Sequence, residues 1–118
     1  MLISKEAIFL NENLTSQEEV FHFIAQKAVV LDVSADENAV YNGLMEREQQ
    51  GTTGMMDGFA IPHAKSSAIT TPKIVIVRLN EGIDWNSMDG KPTLFIFSLL
   101  IPDGEAGTTH LKLLATVA

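Results

Sequence analysis

A glycine-rich stretch that ends in a histidine, residues 51–65, contains the residue types best suited to chemistry in this chain. Its three glycines allow backbone N–H groups to approach an anion closely. Pro62 fixes its own φ and narrows the backbone choices of the residue before it. His63 follows directly, and imidazole changes its charge closest to neutral pH. The pattern predicts a rigid turn in a loop that presents His63; a histidine that only bonds a backbone carbonyl is the open alternative.

Two other residues could assist at the same place. His110 falls in the first turn of a predicted last helix, after residues 107–109, and helix N-termini attract anions. Arg47 ends a predicted helix just before the glycine-rich stretch, and arginine can bind phosphate bidentately. A helix residue without a role and a solvated surface charge are the respective alternatives. His22 has no polar companion on the first predicted helix and is interpreted as an ordinary helix residue.

Several other chemistries fit the sequence poorly. The stretch lacks the Gly-Lys-Ser/Thr ending of a P-loop, and the chain has no G-x-S-x-G elbow. Cysteine is absent, which excludes disulfides, cysteine zinc sites and a thiol nucleophile. A metal-dependent hydrolase with His63, His110 and Asp57 as ligands stays a weak alternative, because no pair has i, i+4 spacing. We therefore expect neither a metal nor a cofactor.

Charge and hydropathy narrow the partners. The 118 residues fit one domain, with a net charge of −7 and a sequence pI near 4.7. Lysine and arginine are scattered singly, so nucleic acid and anionic membranes are poor partners. The N-terminus lacks the basic start and long apolar core of a signal peptide, and the longest apolar run, residues 94–101, is too short to span a bilayer. We expect a cytoplasmic protein that does not insert into the membrane.

The elements that must position these residues alternate between helices and strands. Two capping boxes, Thr15 to Glu18 and Ser34 to Glu37, predict helices that run to Leu31 and to a point before Gly51. Strands are predicted at residues 8–10, 73–79 and 93–101, the last of them central, and Thr108 or Thr109 should cap a last helix. This order predicts a single layered α/β domain. Because the last helix has no stop signal, we expect the domain to be truncated at its C-terminus.

Three segments resemble the EIIA domain of the fructose/mannitol class of the bacterial sugar phosphotransferase system. They are residues 47–54 with 58–64, residues 82–85 with 89–92, and residues 110–115. They occur in the family's order across nearly the whole chain. The resemblance implies a mixed β-sheet flanked by helices, with residues 1–118 forming one EIIA type-2 domain. Since the family usually continues beyond the third segment, it also implies that one or more C-terminal helices are missing.

The resemblance implies a chemical role for each candidate residue. His63 would accept a phosphoryl group from the histidine of phospho-HPr and pass it to an EIIB domain, which can share a polypeptide with the membrane domain EIIC. His110 would lie beside His63, and Arg47 would hold the phosphate. Asp57 departs mildly from the family pattern and receives no role. Other groups that could meet the phosphate oxygens are the Thr53 hydroxyl and the backbone N–H groups of Gly54 and Gly58.

Elementary chemistry is compatible with this role. Neutral imidazole has a free lone pair and is mostly unprotonated at pH 7. Phosphoryl transfer needs an in-line nucleophile and stabilised oxygens. The family resemblance leaves two functions open. Trp85 and the neighbouring segments favour sugar uptake, with fructose as the expected sugar, and the alternative is a nitrogen-related regulatory phosphoprotein that signals by protein binding.

Overall fold

Two long apolar, β-branched runs of the sequence form the centre of a mixed sheet. The computed structural model describes residues 4–103. Its elements are a 3-10 turn at Lys5–Ala7, strand β1 at Ile8–Glu12, helix α1 at Gln17–Val30, helix α2 at Glu37–Gln49, strand β2 at Phe59–Ala60, strand β3 at His63–Ser66, strand β4 at Lys73–Ile83 and strand β5 at Thr93–Pro102. The predicted strands at 8–10, 73–79 and 93–101 are confirmed within these bounds.

The sheet is organised around β5. β4 pairs antiparallel with one side of β5 and parallel with β1 on its own far side. On the other side of β5, β2 and β3 lie end to end, and both run parallel to it. Phe59 is opposite Phe95, and His63 is opposite Leu99. The prediction of a central strand at residues 93–101 is confirmed, and the fold is the predicted mixed α/β sheet.

The main core lies between the sheet and the two helices. Phe21 and Ile24 of α1 and Leu44 of α2 are fully buried against sheet residues that include Ile96 and Leu100. Burial of each such side chain contributes about 1.5–3 kcal/mol. A smaller buried cluster occupies the opposite face of the sheet and consists of Ile74, Leu99 and Ile101. Successive residues of β5 supply both clusters because strand side chains alternate between faces.

The exact helix starts differ from the capping-box predictions. α1 is capped by Ser16, whose Oγ accepts from the Glu19 N–H at 3.1 Å, rather than by Thr15. α2 is capped by Asp36, which accepts from the Ala39 N–H, rather than by Ser34. Both segments hold adjacent residues that can cap, and the geometry selects the one nearer the helix. The predicted end of α2 before Gly51 is confirmed.

The prediction that His63 lies in a loop is wrong. His63 is the first residue of β3, and the preceding Pro62 carbonyl accepts from the Leu99 N–H at 2.9 Å. β2 and β3 have only two and four residues, and the proline between them cannot donate to a ladder. Short strands interrupted by proline carry almost no periodic signal. The predicted last helix from Thr108 or Thr109 lies outside the described residues.

Candidate functional site

His63 is fixed through its backbone by the sheet and by the glycine-rich turn. It pairs with Leu99 across the parallel β3–β5 contact, and Pro62 also bonds to Leu99. The N–H of Ile61 donates to the Thr53 carbonyl at 3.0 Å, which ties the approach to His63 back to the turn. The side chain is half-buried, and its Nδ1 atom is inaccessible to solvent.

A cavity of about 400 Å³ opens beside His63 between α2 and β3. It is lined by Gly43, Glu46, Arg47, Gln50, His63, Lys65 and Ile101. The structure thus brings Arg47 and His63 together, as predicted from the sequence. Two cationic side chains and one carboxylate surround the imidazole. Two of the eight lysine and arginine residues of this acidic chain line this one cavity, so an anion is the ligand that it favours.

Arg47 reaches the cavity from the last turn of α2. Its Nη1 donates to the Gly51 carbonyl at 2.8 Å, which holds the side chain across the end of its own helix. Cationic groups are favourable at this end because the last carbonyls of a helix are unsatisfied. The guanidinium keeps further N–H donors, since it has five in all. Arg47 can therefore bind an anion without giving up its bond to Gly51.

Thr53 lies in the turn but not in the cavity wall. It is 3% exposed, and its Oγ1 donates to Glu48 Oε1 at 2.6 Å while accepting from Trp85 Nε1 at 3.1 Å. Its N–H donates to the other Glu48 oxygen at 2.7 Å. A hydroxyl has one proton. In this geometry that proton is committed to a carboxylate, so the Thr53 hydroxyl does not reach a phosphate on His63.

Gly54 and Gly58 also serve the turn. The Gly54 N–H donates to Thr52 Oγ1 at 3.0 Å. A Cβ at Gly54 would lie 2.7 Å from Ser87 Oγ and 2.9 Å from Ser87 Cα, so this glycine is needed for close packing. Gly58 accepts at its carbonyl from the N–H groups of Leu94 and Phe95. Because Phe95 and Leu99 are four residues apart on β5, Gly58 lies on the order of 13 Å from His63 along the sheet.

The remaining candidates are not assembled in the described part of the chain. His110 lies outside the described residues. Asp57 sits at the opposite end of the sheet, where its Oδ1 is 4.0 Å from Lys91 Nζ. Within residues 4–103, no group of three histidine, cysteine, aspartate or glutamate side chains is placed to hold a metal ion.

Sequence reasoning missed Lys65 and Glu48. Lys65 follows His63 by two positions, and that spacing places two residues on one face of a strand. The strand itself went unpredicted, so the shared face did too. Glu48 stands next to Arg47 and was treated as part of the helix surface. Helical spacing of Gly43, Glu46, Arg47 and Gln50 is the signal that could have found the cavity wall.

The comparisons with known proteins agree on one family. The model of the family described as "Phosphoenolpyruvate-dependent sugar phosphotransferase system, EIIA 2" matches residues 1–118. The chain is 39% identical over 117 residues to a nitrogen regulatory protein of Bradyrhizobium diazoefficiens, covering 99% of this chain and 75% of that protein. It is 36% identical over 113 residues to the fructose-specific EIIA component of Haloferax volcanii, covering 96% and 73%.

Fused relatives and solved structures extend this result. Identity is 34% to the fructose-specific EIIABC component of Bacillus subtilis, but the chain spans only 18% of that protein's length. The crystal structure of IIA-Ntr from Neisseria meningitidis superposes with a TM-score of 0.89 at 28% identity, covering 98% of this chain and 77% of that one. Among residues 4–103, neither helix is long and apolar enough to cross a membrane.

Proposed function

The chain belongs to the EIIA 2 family of the phosphoenolpyruvate-dependent sugar phosphotransferase system, and we propose that His63 is the residue on which it carries a phosphoryl group. The observation that carries this proposal is the cavity at the start of β3. There an imidazole fixed by the sheet shares about 400 Å³ with Arg47 and Lys65, in a chain of net charge −7. EIIA components are phosphotransferase domains, and this cavity provides a nucleophile with adjacent cations.

The transfer step uses the ring nitrogen that faces the cavity. Since Nδ1 of His63 is buried, Nε2 is the nitrogen that attacks. Its lone pair forms the new P–N bond while the P–N bond of the donor breaks, and the electron pair of that bond returns to the donor. Arg47 and Lys65 neutralise the charge on the phosphoryl oxygens throughout the transfer. No nucleotide is required, because the group arrives already activated.

The partners follow from the same chemistry. A phosphohistidine of HPr is the donor, and an EIIB domain is the acceptor. His110 completes the site beside His63 in this proposal. Both exchanges occur in the cytoplasm. Fructose is the sugar that the relatives favour, although it never contacts an EIIA domain.

The test is phosphorylation of the purified protein by phosphoenolpyruvate, enzyme I and HPr, followed by intact-mass measurement. We expect one acid-labile phosphoryl group on the wild type and none on His63→Gln. The matched control is His22→Gln, which removes an exposed histidine from α1 and should be labelled like the wild type. Equal labelling of His63→Gln, or no labelling of the wild type, would contradict the proposal.

A regulatory function is the second candidate. The nitrogen regulatory relative is 39% identical to this chain, and the IIA-Ntr structure superposes with a TM-score of 0.89. Both functions use the same phosphohistidine but differ in who receives the group. Transfer from phosphorylated protein to an EIIB domain, with sugar phosphate formed in the presence of EIIC, supports transport. Stable phosphoprotein that binds another protein without transfer supports regulation.

A further inference from the structure

We propose that Glu48, Thr53 and Trp85, here called the Thr53 network, are positioning residues for phosphoryl transfer at His63. This inference rests on the proposed function of that histidine. None of the three side chains lines the cavity beside His63. Each acts through the backbone or through a neighbouring side chain, so none is a catalytic residue. The network connects both walls of the site through Thr53.

The first connection runs from Thr53 to the end of α2. Both oxygens of Glu48 accept from Thr53, one from its N–H at 2.7 Å and one from its hydroxyl at 2.6 Å. Glu48 is adjacent in sequence to Arg47, and the short loop between Glu48 and Thr53 contains Gly51. The Gly51 carbonyl is the group that holds the Arg47 guanidinium at 2.8 Å. Glu48 therefore sets where this carbonyl lies and, through it, where Arg47 points.

The second connection runs from Thr53 to His63. The Thr53 carbonyl accepts from the Ile61 N–H at 3.0 Å. Only Pro62 separates Ile61 from His63, and proline fixes its own φ. A shift of Thr53 is thus passed to His63 through a short and stiff segment. A single residue holds the two sides of the cavity at a set distance.

The third connection gives the network a direction. The indole N–H of Trp85 can only donate, and it donates to Thr53 Oγ1 at 3.1 Å. That oxygen must then send its own proton to Glu48, which accepts at both oxygens as an ionised carboxylate does. Trp85 is 2% exposed and packs edge-on against Phe21 at 5.5 Å, so the donor is anchored in the core. The hydroxyl of Thr53 has one orientation.

Small displacements matter for this kind of reaction. An error of about 1 Å in the position of reacting groups can cost on the order of a hundredfold in rate. Loss of one bond in the network leaves the fold in place but frees Thr53 to move relative to α2. The expected result is a slower transfer at His63 with little change in the affinity for the donor, because the side chains in question are away from the cavity surface.

The experiment compares isosteric variants in the full chain. Thr53→Val removes the hydroxyl, Glu48→Gln removes the charge, and Trp85→Phe keeps a buried ring without the N–H. With phospho-HPr as donor, each should lower kcat by about tenfold or more while KM stays near the wild-type value. The matched control is Thr70→Val, which removes a hydroxyl bonded to the Val33 carbonyl at 3.1 Å, away from the site. Thr53→Ser, which restores the hydroxyl, should recover the rate.

Three further results discriminate between outcomes. The ¹⁵N signals of the His63 ring should shift in Thr53→Val but not in Thr70→Val, at a temperature where both are folded. Because Glu48→Gln and Thr53→Val break the same bonds, the double variant should be no slower than the slower single variant. Wild-type kcat and ring signals in all three network variants would overturn the inference. Should Thr53→Val fail to fold, Trp85→Phe decides by the same two measurements.

Failure of the inference and failure of the proposed function look different. A wild-type protein that gains no phosphohistidine overturns the proposed function itself. A wild-type protein that is labelled on His63, with network variants that transfer at the wild-type rate, overturns only the role of Glu48, Thr53 and Trp85.

Discussion

His22 and His63 occupy cavities of similar volume, about 380 Å³ and 400 Å³, but in opposite charge environments. The His22 cavity is lined by Glu19 and Glu37, and His22 Nε2 lies 4.0 Å from Glu18 Oε1. The His63 cavity has two cations and one carboxylate. A phosphoryl group would be repelled at the first place and neutralised at the second. Cavity size and an accessible imidazole are therefore insufficient to identify this kind of site.

The two histidines also differ in how they are held. His22 lies on the exposed side of α1 and stacks on Tyr41, with ring centroids 4.0 Å apart and an interplanar angle of 12°. His63 starts a strand whose backbone is bonded on one side to β5 and approached from the other by a braced turn. Reaction geometry requires a fixed backbone more than a stacked ring. Charge and support both distinguish His63.

The largest expected effect is the loss of Arg47. Arg47→Gln should slow phosphoryl acceptance by about a hundredfold, because one preorganised donor to a developing charge is worth on the order of 10²–10³ in rate. The measurement is the initial rate of labelling from phospho-HPr. Arg78→Gln, which removes the other arginine of the chain from its position 5.5 Å over the Phe95 ring, should leave the rate unchanged. Equal rates in the two variants would remove the charge argument for His63.

Gly54→Ala tests the difference in support. The new methyl group would meet the Ser87 backbone, so the free energy of unfolding should fall by about 1–3 kcal/mol. Gln26→Ala is the counterpart in the wall of the His22 cavity, and as a surface substitution it should stay within about 0.5 kcal/mol. Urea unfolding followed by circular dichroism measures both. Similar midpoints would mean that the turn is less tightly packed than its contacts indicate.

Lys65→Gln and Glu46→Gln should move the rate in opposite directions. Removing the cation from the His63 cavity slows acceptance severalfold, and removing the carboxylate raises it, because both side chains are exposed and act through partly screened charge. The effects should shrink as salt is added. Lys91→Gln, at the opposite end of the sheet, serves as the control. A common direction for Lys65 and Glu46 would indicate a steric role for both residues.

The smallest effect concerns the negative field at His22. Burial raises the pKa of Tyr41 above its ordinary value of 10.0, and the charge of Glu18 raises it further. The folded state therefore holds this proton more tightly than the unfolded state. Its stabilising contribution is complete below about pH 10 and is lost as the pH rises through the folded pKa. Since the chain has one tyrosine, tyrosinate absorbance reports it directly, and Glu18→Gln should lower the pKa.

Periodicity and resemblance predicted the fold class, the three long strands and the pairing of Arg47 with the His63 region. They failed where the signal is not local. Ser16 and Asp36 cap the helices because of their exact geometry, which adjacent residues of similar type conceal. β3 forms because β5 offers it an edge, not because His63–Ser66 has strand propensity. The turn residue Thr53 bonds to Trp85 across 32 positions, and no spacing rule predicts such a contact.

The burial of Trp85 has an optical consequence. This is the only tryptophan of the chain, so indole fluorescence from the protein comes from one ring. Its N–H is bonded to Thr53, and its carbonyl accepts from Thr52 at 3.0 Å. Emission from an indole responds to the polarity and hydrogen bonding around it. The protein thus contains an intrinsic fluorophore wired to the turn beside His63, which allows the turn to be followed in real time without an added label.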